Sequence, residues 1–477
     1  GIEHGLESGA HYLENKVENS FLGKVKNGFE KIKDSAVSKI AVYSLAGALS
    51  MSPMLGCDNG DENGDPENSN YSEIQESDVI DNFGEDLIVS PGKDVTVSPG
   101  KDTTIAPGKD ITVTEIVTEK PACWEHIYDV SGIASAMDLT NDGGSVIAGS
   151  TWAETTYELR AFKLDINGDI VWDKTFEGGS NPSINSIQQT NDNGYIMALE
   201  KDYTENGVWV SKLDSTGNLQ WEKFFSADNI TSGPYSIDQT TDNGYILTGL
   251  MTADEGSFLD ARVLKLDSSG NIKWDKDFSQ GLDNSYLNHI EQTNDGGYIA
   301  AGKCAIYGVG GYHTWVVKMD SDGGLDWDKT FQGDHGLHSI QQVNGGNYVM
   351  LSAVFTEGYN SEPKISKLDK YGNLDWEKQF KKSEKTFGIS IDQTNDNGYI
   401  VAGHFGSSQG GKAWIFKTNS NGNLEWEKEY PGGTTDKLFA IKQTNDEKYV
   451  VAGSTNLNVS TQPWIFKIDG NGNLNCK

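Results

Sequence analysis

Three features of the sequence predict an all-β chain: a seven-bladed β-propeller of four-stranded antiparallel blades, preceded by a helical or signal-like segment and a disordered stalk. The first is repetition. QTNDNGYI stands at 189–196 and again at 393–400, inside a longer pattern, W-[DE]-K-x-F, S-I-x-Q-T-N-D-x-G-Y-I-x-A-G, W-x-x-K-L-D-x-x-G-N-L, that recurs seven times from Trp124 onward. The second is spacing: the marker tryptophans Trp124, Trp172, Trp221, Trp274, Trp327, Trp376 and Trp426 are 48, 49, 53, 53, 49 and 50 residues apart, the length of a propeller blade. The third is strand content. Each copy holds four short β-prone runs and no helical stretch, and 55 Gly, 12 Trp and 19 Tyr against only 11 Pro suit short strands joined by turns.

Taken in order along the chain, residues 1–39 place Val17, Phe21, Val25, Phe29 and Ile32 at helical spacing among charges, the pattern of one amphipathic helix. Lys31, Lys33 and Lys39 then precede an apolar run that Ser and Pro interrupt, too short for a membrane span and in keeping with a signal segment over 1–56. Its end, MLGC at 54–57, resembles a bacterial lipobox, which implies lipidation of Cys57 and attachment to the membrane through the lipid alone. Residues 57–90 follow as an acidic tether: from Asp58 to Gly92 there are eleven acidic residues and no Lys or Arg, a self-repelling composition that cannot bury a core. In the segment 91–122, PGKDVTVS, PGKDTTIA and PGKDITVT repeat as a turn plus a β-prone triplet, read as a short stalk able to form strands. The propeller takes 123–477.

Within each repeat the tetrad ND-N/G-G supplies residues that tolerate positive φ, so QTNDNGYI is a hairpin. Lys163, Lys212, Lys265, Lys318, Lys367, Lys417 and Lys467 recur in the third strand, and an acidic residue follows every marker Trp, Glu125 and Asp173 among them. A cross-strand ion pair between the two is the expectation. Gln189, Gln239, Gln292, Gln342, Gln393 and Gln443 recur in the first strand, where an amide satisfies backbone groups between blades. Residues present in nearly every blade belong to the scaffold. GNLNC stops where an eighth marker Trp should stand, with Cys476 at that position and Cys123 just before the first marker. The two ends should therefore meet and close the ring, and an oxidising compartment permits a Cys123–Cys476 disulfide that leaves Cys304 unpaired.

The pattern QTNDxGYIxAG with W..KLDxxGNLxW resembles the repeats of secreted bacterial and archaeal β-propeller lipoproteins over residues 123–476. The resemblance implies the fold and a location in the cell envelope, facing the extracytoplasmic side, without an activity. Some such proteins are grouped with quinoprotein-like propellers, but this chain has no adjacent cysteine pair, and no cofactor is expected. Kelch repeats share GGY and a later Trp at a different spacing.

A net charge of -32 repels phosphate backbones and anionic headgroups, which argues against nucleic acid. The four cysteines lack zinc-site spacing. DxxGN turns such as DINGD resemble pieces of calcium loops but lack the bidentate Glu, and a side-chain-capped turn explains them, so no metal is expected. His289, His313, His335, His338 and His404 gather in the fourth to sixth repeats, a conceivable acid/base or metal sector.

The spacing also identifies a face. Two connections keep one length in all copies, whereas marker Trp to Thr varies over 16–19 residues and second-strand start to third-strand Lys over 17–20. In an up-and-down blade alternate connections share a face, so all the variable loops lie together, where binding residues concentrate. Trp152, Tyr203, Tyr307, Tyr312, Tyr359, His335 and His404 fall there. The function expected is a monomeric binding platform for a glycan or a cell-surface protein; the alternative is a polysaccharide-active enzyme, a hydrolase or lyase, on the same scaffold, whose carboxylate pair the repeats do not locate.

Overall fold

Each repeat folds into its own four-stranded antiparallel sheet, and the seven sheets make a seven-bladed β-propeller. The computed structural model describes Leu87–Ile88, Thr96–Val97 and residues 123–474, apart from stretches at 154–155, 181, 202–206, 227–235, 254–258, 280–283, 306–310, 333, 357–359, 384, 408–409 and 458–459. Blades 1 to 6 span 131–177, 183–226, 236–278, 285–331, 334–379 and 386–430, each with its four strands in sequence order. Blade 7 takes three strands from 436–468 and its outermost from Trp124–Ile127, paired with Ser460–Ile468. Trp124 faces Lys467 as Trp172 faces Lys163. The segment entering the propeller thus supplies the strand that its other end lacks, and the ring closes as the split repeat predicts. Cys123, just before that strand, is buried, with its Sγ 3.6 Å from the Asn473 carbonyl; Cys476 lies outside the described residues. Cys304 is free and buried.

Residues 1–119 form a separate unit, in which Leu87–Ile88 pairs antiparallel with Thr96–Val97 of the first PGKD repeat. The amphipathic and signal-like segment 1–56, Cys57, the acidic tether before Leu87 and the later PGKD repeats lie outside the described residues. Among the described residues no helix is long and apolar enough to cross a membrane.

The core sits between blades rather than within one. Ile246, Val263 and Phe278 of blade 3 pack on Leu287, Tyr298, Ala300 and Trp315 of blade 4, and an equivalent cluster fills every other seam. The repeat motif follows from this packing. Each marker Trp lies on the Gly of the next blade's DxxG turn: a Cβ on Gly217 would stand 2.7 Å from the Trp172 ring, at a φ of +79° that also favours glycine. The Gly of Y-I-x-A-G faces a bulge in the first strand; on Gly302 a Cβ would stand 2.0 Å from the Tyr286 carbonyl oxygen. Six marker Trp rings meet the Tyr near the start of the next blade's second strand at tilted or edge-on angles, Trp221 and Tyr245 at 5.9 Å for example.

The first-to-second-strand connection is a three-residue hairpin loop, closed by Thr190 N–H to Gly194 O and Asn193 N–H to Thr190 O, with Asn193 at φ 61°. The third-to-fourth-strand turn is capped by its own Asp: Asp214 Oδ1 accepts from the Thr216 and Asn218 N–H groups, both at 2.9 Å. Those bonds, the one from Asn218 foremost, hold the Asp214 carboxyl down at about 2. The capped-turn reading of these segments therefore holds, their carboxylates being engaged by the turn itself.

The expected ion pair is corrected. The third-strand Lys bonds the Asp of the hairpin turn, as in Lys212–Asp192 at 2.9 Å, Lys265–Asp242 at 2.9 Å and Lys417–Asp396 at 2.7 Å. Lys163 stands opposite Trp172, so the following Asp173 faces Phe162 and projects to the other side of the sheet. There it meets Arg160, a diagonal neighbour, in a bidentate pair.

Candidate functional site

Two parts of the molecule present polar or aromatic groups beyond what the scaffold consumes: the ring made by the first strands of the blades, which contact one another in turn, and the variable-loop face. This ring is built by the residue just before the recurrent Gln, or before Leu139 in blade 1: Asp138, Gln188, Asp238, Glu291, Gln341, Asp392 and Lys442, one from each blade. Six of them accept the backbone N–H of the next blade's Gln, or are placed to do so by one register: Gln189 N to Asp138 at 2.9 Å, Gln239 N to Gln188 at 2.6 Å, Gln292 N to Asp238 at 2.9 Å, Gln342 N to Glu291, Gln393 N to Gln341 at 3.0 Å and Gln443 N to Asp392 at 2.9 Å. The chain of acceptors stops at Lys442, a cation, whose Nζ lies 3.4 Å from Asp392. The recurrent Gln performs the predicted role one step outward, Gln239 Oε1 accepting the Asn191 N–H at 2.8 Å across a seam.

Crowding four carboxyls and one ammonium around an axis shifts their titration. Burial raises Asp138 and Asp238, and it pushes Glu291 up to about 8 with Asp238 and Asp392 adding repulsion. Lys442 is raised, chiefly by Asp392 and then by Asp138 and Glu291. His289 precedes Glu291 by two residues on the same side of its strand; burial lowers it to about 4, and its Nδ1 is buried without a hydrogen bond. Sequence reasoning missed this ring. Its signal was the x of S-I-x-Q, which is polar in every copy although the Ile beside it is core.

At the variable-loop face Trp152 and Tyr157 are cross-strand partners at the second-to-third-strand hairpin of blade 1, with centroids 4.2 Å apart and exposures of 43% and 39%. Tyr312 of blade 4 is half-buried, 5.8 Å from Tyr286, and the Lys303 ammonium lies over both rings at 4.9 and 4.8 Å. His404 does not present itself as a loop ligand contact: it is half-buried in the second strand of blade 6, stacked on Phe387 at 5.0 Å. Burial, then Lys437 and His338, lower it to about 4. His335 belongs to the first strand of blade 5, Asp334–Val343. Tyr203, Tyr307 and Tyr359 lie outside the described residues. Of the histidines whose side chains are described, His289 is in the first strand of blade 4, His313 is buried in the third strand of that blade, and His338 lies near His404, while no group of three metal-ligating side chains forms among the described residues.

No family model and no curated protein matches this chain. Among solved structures it is similar to Sqt1 of Chaetomium thermophilum bound to the N-terminus of the ribosomal protein L10, at 11% identity and a TM-score of 0.45, over 72% of this chain and 98% of that one. It is also similar to the WD40 domain of Neurospora crassa Pan2, at 12% identity and a TM-score of 0.45, over 70% of this chain and 89% of that one. A third is YCF48 bound to D1 peptide, at 12% identity and a TM-score of 0.44, over 73% of this chain and 97% of that one.

Proposed function

We propose that this chain is an extracytoplasmic envelope protein, anchored through a lipid on Cys57, whose propeller is a binding platform for a glycan or a surface protein. The observation that carries the platform reading is the confinement of length variation to two connections of the repeat, 16–19 and 17–20 residues, while the other two never change. A rigid ring whose variation is kept to one face is built to present that face. Trp152 and Tyr157 stand exposed there, and the -32 net charge directs the platform away from anionic polymers. The purified chain screened against glycans and envelope proteins should bind through this face. Trp152→Ala should weaken the interaction about tenfold with an unchanged melting temperature; binding that responds instead to the DxxGN or NDxG turns would contradict the reading.

The anchor has its own test. Cys57→Ala should release the protein from membranes in a host that lipidates such precursors, and unchanged membrane partitioning would overturn it. The ring-closing disulfide is proposed between Cys123 and Cys476, three residues beyond the Asn473 carbonyl that Cys123 contacts. Alkylation of the unfolded, unreduced protein should then modify Cys304 but neither Cys123 nor Cys476.

A further inference from the structure

The seven blades are internal controls for one another, and blade 2 breaks a rule that the others keep. Opposite the fourth residue of each W-[DE]-K-x-F strand, the third strand carries Trp, Arg or Lys, and in blades 1 and 3 to 7 that side chain binds the acid after the marker. Trp315, Trp414 and Trp464 donate their indole N–H to Asp328, Glu427 and Glu125 at 3.0, 3.0 and 2.7 Å and are 1% exposed. In blade 2 the residue is Trp209, but Glu222 is held by Ser211 Oγ at 2.8 Å and Lys201 Nζ at 2.7 Å. Trp209 is only half-buried, with Lys201 over its ring at 4.5 Å and Phe224 beside it at 5.1 Å.

Phe224 is the second departure. Its counterparts are Thr175, Asp277, Thr330, Gln379, Glu429 and Ile127, yet here a phenyl ring is 39% exposed on an outer strand. Gly207 makes room for it: a Cβ there would stand 2.6 Å from the Phe224 ring. Both aromatics sit where the third strand begins and the fourth ends, at the variable-loop edge, in the blade next to Trp152 and Tyr157. We propose that Trp209, Phe224, Lys201 and Glu222 form a stacking subsite for a neutral sugar ring. The inference rests on the platform reading.

The chemistry selects the occupant. A pyranose presents a flat C–H face, which an aromatic face covers, and a rim of hydroxyls, which need donors and acceptors beside it. Lys201 and Glu222 supply both, paired to each other and each 21% exposed. A net charge of -32 disfavours uronate or sulfated chains, leaving neutral glycans as the class.

The test uses the full chain and a panel of cellohexaose, xylohexaose, mannohexaose and, as an anionic control, oligogalacturonate, measured by calorimetry. A neutral oligosaccharide should bind, Phe224→Ala should lose about tenfold in affinity, Phe224→Trp should keep it, and Gln379→Ala at the matching place in blade 5 should change nothing. Because Trp209→Ala could disturb the seam, Phe224→Leu serves as the second probe: it keeps an apolar side chain without the ring and should also lose affinity. Neutral-sugar binding that Phe224→Ala leaves intact while Trp152→Ala weakens it would overturn the subsite and spare the platform. Binding of oligogalacturonate alone, binding of a protein alone, or a dimer that Phe224→Ala dissociates would overturn the sugar assignment.

Discussion

Blades 2 and 6 carry tryptophan at the same place in the third strand, and the two residues live differently. Trp414 is fully buried, its indole N–H held by Glu427 and its ring tilted against Phe416 with centroids 4.4 Å apart. Trp209 is half-buried between a lysine and an exposed phenylalanine. The same residue type at the same register thus has different surroundings when other side chains hold the acid that follows the marker tryptophan. In blade 2 Ser211 and Lys201 hold Glu222.

The largest expected effect is on stability. Trp414→Ala empties a seam and leaves Glu427 without its indole donor, so it should cost about 3–5 kcal/mol. Trp209→Ala, at the same register but partly in water, should cost less than half as much. Urea denaturation of both variants checks this, and equal losses would break the distinction between the blades.

A smaller effect depends on pH. His289, His338 and His404 are each lowered to about 4 from an ordinary value near 6.5. The unfolded chain therefore takes up protons first, and the stability these residues contribute is full above about 6.5 and is lost as the pH falls toward 4. Glu291 has the opposite sign: raised to about 8, it contributes most below its ordinary 4.5 and loses that contribution as the pH rises through 8. Each fully titrating group changes stability by at most about 1.4 kcal/mol per pH unit. Glu291→Gln keeps an acceptor for the Gln342 N–H and should flatten the alkaline decline, leaving the acid arm in place. Melting temperatures from pH 4 to 9 for both proteins test the assignment; an unchanged alkaline arm would show that Glu291 does not set it.

The smallest effect concerns one turn. Hairpins of the other blades place Asn193, Asn243, Asn397 or a Gly at positive φ, whereas blade 7 places Glu447 there at 59°. Glu447→Gly should stabilise by about 1 kcal/mol, while Asn193→Gly should be nearly neutral.

The blade architecture was legible because backbone needs and seam packing impose the same residues in every copy: the glycines under Trp172 and opposite Tyr286, the Asn at positive φ, the Gln that crosses each seam. Ring closure was legible from the repeat missing at one end and begun at the other. The partner of Lys163 was not, since a repeating charge pattern does not say which of two nearby acids shares a face with it, and the pleat sends Asp173 to the opposite side. The strand position of His404 was not legible either, because the second strand of blade 6 runs on to Ser407. Glu291, Lys442 and Phe224 stand in positions marked x in the repeat, where the averaged pattern carries no information about the individual copy.

The central claim is that the variable-loop face binds and the fixed-turn face supports. Hydrogen exchange of the full chain, with and without a saturating neutral oligosaccharide, tests it most directly. Protection is expected in the strand ends around Trp152, Tyr157, Trp209 and Phe224, with the turns 190–194 and 214–218 unchanged. Protection concentrated in those turns, with the aromatic edge unaffected, would contradict it.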